Sequence, residues 1–95
     1  MNTITAPQQT TYTQTELLKL INQYSQTPRK IIKSNLKRIL FTHNIKPKQI
    51  ISLGHNSPNV YAWLSLATNN IPLLNQALSI SNAFDFNIEE FIKEI

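Results

Sequence analysis

The chain has 95 residues, a single glycine, no cysteine and a formal net charge of +4. That length corresponds to one domain, and a folded part of about 80 residues can hold a core without staples. The missing cysteines exclude disulfides and thiolate metal sites, and no apolar run approaches the ~20 residues that cross a bilayer.

Residues 1–13, MNTITAPQQTTYT, are polar, Thr-rich and broken by Pro7, a composition that predicts a disordered arm. They carry no basic segment followed by an apolar one, so no signal peptide is expected, and the protein is expected to be cytoplasmic. A single helical domain is expected over 14–95. In 14–25, Leu17, Leu20, Ile21 and Tyr24 recur at i, i+3, i+4 and i+7, which is one helical stripe, with Thr13 or Thr15 as its cap. In 28–43, Thr27 is the expected N-cap and Pro28 the first helical residue. Ile32, Leu36, Ile39 and Leu40 form the inner stripe, while Lys30, Lys33, Lys37 and Arg38 are expected on the opposite, solvated side. Asn44 is a plausible stop. Pro47 opens a short helix over 47–53, and Gly54 ends it. Ser57 and Pro58 repeat the cap-and-proline device for 57–67, whose inner stripe is Val60, Trp63, Leu64 and Ala67. Leu73, Leu74, Ala77, Leu78 and Ile80 mark a helix over 71–83. Asn87 and Glu90 resemble a capping box opening one over 87–94. No stretch alternates like a strand, so the expected fold is all-α, with five or six short helices.

The charge is unevenly placed. Residues 1–48 hold eight Lys and Arg against Glu16 alone, a balance of +7, whereas residues 49–95 hold Lys93 against four acids, a balance of −3. A basic half suggests a polyanionic partner, although lysines also coat ordinary exposed helix faces.

Two short helices meeting at the only glycine suggest a helix-turn-helix. Such a turn needs a residue at positive φ, and glycine adopts it without a Cβ penalty, though glycine also serves as an ordinary helix C-cap. In DNA-binding units of this kind the second helix enters the major groove. Residues 36–91 resemble the lambda repressor/Cro-like helix-turn-helix (XRE) family. The match rests on Leu36 and Ile39, Ile45, Ile50 and Ile51, Gly54, Val60 and Trp63, and then on Pro72, Leu74, Leu78, Ile80, Phe84, Ile88 and Phe91. The resemblance implies a small DNA-binding regulator of the kind carried by phages and mobile elements, preceded here by an extra N-terminal helix. The chain departs from the family pattern in three ways. Counting from Ile50-Ile51 puts the turn residue at His55, whereas counting back from Val60 and Trp63 puts it at Gly54. The stretch from Trp63 to Pro72 is longer than usual. Residues 49–84 contain no Asp, Glu, Lys or Arg.

Bases would therefore be read by Asn56, Ser57, Asn59 and Tyr61, without the arginine–guanine pair that is commonest in direct readout. Asparagine pairs with adenine and apolar groups meet thymine methyls, which favours an A·T-rich operator. Phosphate contacts are expected from Lys46, Lys48 and Gln49 at the start of the first helix of the motif, and from Lys37 and Arg38 on the helix before it. Trp63 is expected in the core. His43 and His55 lack cysteine or carboxylate partners, so no metal or other cofactor is expected. There is no Gly-rich phosphate loop and no recognisable nucleophile–base signature, so the chain is not expected to be an enzyme. The partner expected is double-stranded DNA, bound by a homodimer formed through the helix at 14–25. The alternative is a protein-interaction module, an antirepressor or antitoxin-like adaptor whose helix-turn-helix no longer reads DNA.

Overall fold

Each helix forms where its apolar spacing places it, and most ends are marked by an identifiable cap. The computed structural model describes residues 12–94. In chain order it contains α1 (Gln14–Gln26), α2 (Arg29–Thr42), α3 (Pro47–Ile51), α4 (Ser57–Leu64), α5 (Leu74–Ala83) and a 3-10 helix (Ile88–Phe91). No strand occurs among the described residues, so the fold is all-α. No helix among them is long and apolar enough to cross a membrane. The arm expected at 1–13 lies outside the described residues except for its end. There Tyr12 packs half-buried against the core. Thr13 caps α1 through a reciprocal pair: its Oγ1 accepts from the Glu16 N–H at 3.1 Å and its own N–H donates to Glu16 Oε1 at 2.9 Å.

Several boundaries differ from the sequence expectation for local reasons. The expected cap Thr27 instead closes α1, its hydroxyl donating to Gln23 O at 2.7 Å, and α2 starts one residue after Pro28. α4 ends at Leu64 rather than 67, because Ser65 turns to extended backbone and Thr68 Oγ1 returns to donate to Ala62 O at 2.8 Å. α5 starts at Leu74 rather than 71. Pro72 disfavours helical backbone at Ile71, and Gln76 Oε1 accepts the Leu73 N–H at 2.8 Å. Leu73, expected inside, is consequently exposed. The last element is a single 3-10 turn rather than a helix over 87–94. Asn87 caps it by accepting from the Glu89 N–H at 2.9 Å, and Glu90 points elsewhere.

Two helices end in Schellman turns. Asn44 has φ +54°, with Ile45 N–H donating to Leu40 O at 2.8 Å, which buries Ile45. Asp85 has φ +58°, with Phe86 N–H donating to Ser81 O at 3.0 Å.

The core gathers Ile32, Leu36, Ile39 and Leu40 of α2, Ile50 of α3, Val60 and Trp63 of α4, Ala77 and Ile80 of α5, and Ile88 and Phe91. From α1 it takes Leu20 and Tyr24, the latter donating its hydroxyl proton to Pro72 O. Burial raises the Tyr24 pKa well above the usual phenol range. The α1 stripe expected at a dimer interface is thus spent in part on its own domain. Of its four members only Ile21 stays exposed, beside Leu18.

α2 organises the rest through polar residues on its two flanks. On one flank Asn35 Nδ2 donates to Phe91 O at 2.8 Å and Lys93 O at 2.7 Å, holding the C-terminal segment. On the other, Arg29 Nη1 donates to Asn69 O at 3.1 Å and Lys33 reaches α4 and the loop after it. The expectation that Lys30, Lys33, Lys37 and Arg38 share one solvated face therefore fails for Lys33, which is 4% exposed. Five residues separate Lys33 from Arg38, roughly 140° around a helix of 3.6 residues per turn, so they point to different neighbours.

Candidate nucleic-acid interface

The unit α3–turn–α4 forms as the residue types require. Pro47 begins α3, and Gln49 Oε1 accepts the Lys46 N–H at 2.7 Å, satisfying one open donor of the first turn. The chain then turns through Ser52–Gly54, with Gly54 N–H donating to Ile51 O at 2.9 Å. Gly54 adopts φ +103°, and a Cβ built there would meet nothing within 4 Å. Glycine is needed for the backbone conformation alone, not for close packing. His55 is not at positive φ, so the turn residue is Gly54. His55 and Trp63 pack edge to face at 5.8 Å between ring centroids, and His55 Nε2 is buried without a partner among the described residues.

α4 is capped by Asn56, one residue before the expected Ser57. Asn56 Oδ1 accepts the Asn59 N–H at 3.2 Å, and Ser57 and Pro58 become the first two helical residues. Val60 is fully buried and Trp63 nearly so, which turns the N-terminal half of α4 outward at Ser57, Asn59 and Tyr61. All three expected base-contact residues are exposed, but they do not share one side: Ser57 and Tyr61 lie one turn apart, and Asn59, two positions from each, lies about 160° around the helix from them. Asn56 is beside them, but its carbonyl oxygen is committed to the cap. The Asn59 side chain makes no hydrogen bond among the described residues, and the residue is exposed. Only Asn59 can therefore offer the two-pronged donor and acceptor that adenine takes without loosening α4.

The expected phosphate contacts divide. Lys46 and Lys48 are exposed at the start of α3, and the Gln49 side chain is partly occupied in capping it. Lys37 is exposed on α2, four residues beyond Lys33 and so on the α4 flank. Arg38 lies on the other flank, where Nη1 pairs with Glu90 Oε1 at 2.9 Å and Nη2 donates to Glu90 O at 3.0 Å. That hydrogen bond holds the Glu90 carboxyl below its usual range, against the opposing effect of burial. The charge of Arg38 is thus neutralised within the fold, and the structure does not bring it together with Lys46 and Lys48.

Sequence reasoning missed Lys33. Its ammonium donates to Ala62 O at 2.8 Å, Asn70 O at 2.8 Å and Thr68 Oγ1 at 3.3 Å, one acceptor for each of its three protons. Burial, and after it the charge of Lys37, lowers its pKa from the ordinary lysine value. A signal was present: Lys33, Leu36 and Leu40 recur at i, i+3 and i+7, within the apolar stripe.

His43 stacks on Phe86 at 5.1 Å, and no group of three His, Cys, Asp or Glu able to hold a metal occurs among the described residues. A groove of about 470 Å³ runs between α1 and residues 85–89 and takes no residue from α3 or α4. No family model, curated protein or solved structure matches this chain.

Proposed function

We propose that the protein is a sequence-specific DNA-binding regulator that lays α4 in the major groove of an A·T-rich operator. The observation that carries this is the α3–α4 unit itself: a glycine turn at φ +103°, Val60 and Trp63 buried, and Ser57, Asn59 and Tyr61 exposed. Lys46 and Lys48 at the open end of α3 and Lys37 on the adjacent flank supply the cations that a phosphate backbone attracts. The apolar residues behind the resemblance to lambda repressor-like domains, from Leu36 to Phe91, are all buried or half-buried, which supports the same reading. Occupying the operator would block or recruit polymerase. Two copies on a two-fold site would double the few base contacts that one short uncharged helix can make. For such pairing, Leu18 and Ile21 are the apolar residues of α1 left exposed. Fluorescence titration against pooled A·T-rich duplexes at two salt concentrations tests this. Sequence-preferring, salt-dependent binding is expected, and no binding at low salt would refute it.

A second reading, a protein-interaction module, is favoured by one observation. The exposed surface of α4 and its turn carries Leu53 and Tyr61 and no charge, a composition closer to a protein interface core than to a DNA-binding face. The same titration separates the two.

A further inference from the structure

Lys33 lies on a helix whose other exposed lysines face water, yet it is buried with its ammonium aimed at the C-terminal end of α4. We propose that Lys33 is the positioning residue of the reading face: it fixes the orientation of α4, and through it the register of Asn59 and Tyr61 on DNA. This rests on the DNA-binding reading above.

The packing of α4 on α2 is otherwise apolar, through Leu36, Val60 and Trp63. Apolar burial of Val60 and Trp63 sets which side of α4 faces inward, but being non-directional it leaves the fine rotation and slide of one helix on the other to directional contacts. α4 has eight residues, too short to be stable alone, and its last carbonyls have no partner within the helix. Lys33 supplies the missing direction. One ammonium joins the Ala62 carbonyl at the end of α4 to Thr68 and Asn70 in the loop beyond, and Thr68 Oγ1 donates to the same Ala62 carbonyl at 2.8 Å. Arg29 holds the next carbonyl of that loop, Asn69 O. A cation at a helix C-terminus also opposes the negative end of the helix dipole. The outward residues of α4 are short or uncharged, so they act only through directional hydrogen bonds and close contact, which a small rotation destroys. Long-range attraction to phosphates comes from Lys37, Lys46 and Lys48, which do not depend on this clamp. Lys33 should therefore govern specificity and leave non-specific affinity alone.

The test uses the full chain, as wild type, Lys33→Met and Thr68→Val, the last removing one acceptor while keeping the lysine. Binding to the preferred duplex and to a scrambled duplex of equal composition is measured at two salt concentrations, and amide hydrogen exchange is followed by residue. For Lys33→Met, the ratio of specific to non-specific affinity should fall on the order of tenfold, with the non-specific affinity and salt slope unchanged. Exchange should quicken in 57–70 and not in α1 or α5. An unchanged ratio in a folded variant, or a salt slope reduced by about one phosphate contact, overturns the proposal. If Lys33→Met does not fold, Thr68→Val is judged by the same measures, with a smaller fall in the ratio expected. If the wild type prefers no duplex, the DNA-binding reading fails and exchange alone decides the clamp. Acceleration confined to 57–70 supports it, and unchanged or uniformly faster exchange overturns it.

Discussion

Arg38 and Glu90, 52 positions apart in the chain, close at 2.9 Å with side chains only 29% and 28% exposed. The pair fastens the C-terminal turn to α2 and removes Arg38 from the cations available to a partner. It also makes stability depend on acid. The Glu90 carboxyl titrates below its ordinary value of 4.5 because Arg38 donates to its charged form. The unfolded chain therefore takes up that proton first on acidification. The contribution is complete above about pH 4.5 and is lost as pH falls through the lowered folded value. Thermal melts between about pH 5 and pH 3 should show wild type losing more stability than Glu90→Gln. Parallel curves would show that the pair is not the source.

Trp63 is 3% exposed at the centre of the core. Trp63→Ala should cost about 3–5 kcal/mol, through lost burial and the cavity left behind. Denaturant unfolding measures this directly. A cost below about 1 kcal/mol would mean that the indole is not packed as described.

At Gly54 an added methyl has room, but the backbone at φ +103° does not suit an L-residue. Gly54→Ala should destabilise by about 1–2 kcal/mol, with core contacts intact. A neutral or stabilising substitution, measured by the same unfolding, would argue that the turn relaxes to negative φ.

Asn56 and Asn59 should separate cleanly. Asn56→Ala removes the α4 cap and should cost about 1 kcal/mol of stability. Asn59→Ala should leave stability within about 0.5 kcal/mol while weakening the preferred duplex more than random DNA. Lys46→Ala and Lys48→Ala should weaken all duplexes alike, each lowering the salt slope by about 0.9. Titrations in which none of these variants differs from wild type would place the interface elsewhere.

Leu18 and Ile21 are 62% and 50% exposed on α1. Leu18→Glu with Ile21→Glu should leave the melting temperature nearly unchanged and convert two copies per palindromic duplex to one, as read by sedimentation. Wild type bound singly to such a duplex would exclude the dimer.

The sequence by itself determined the helices and the glycine turn. The spacings Ile32–Leu36–Ile39 and Val60–Trp63 are properties of a chain folded on its own period, and they assign the inner faces before any neighbour is known. Gly54 is legible for the same reason: positive φ is a local requirement that one residue type meets without strain. Tertiary structure decided which charges and polar groups remain available. Lys33 is buried because α4 and its loop bring Ala62 O, Thr68 Oγ1 and Asn70 O to it from 29, 35 and 37 positions away. Arg38 is paired because the C-terminal turn returns to α2. α4 stops at Leu64, short of its sequence-level end, because Thr68 folds back on Ala62 O. Burial of a polar group requires partners, and partners distant in the chain are supplied only by the packed fold.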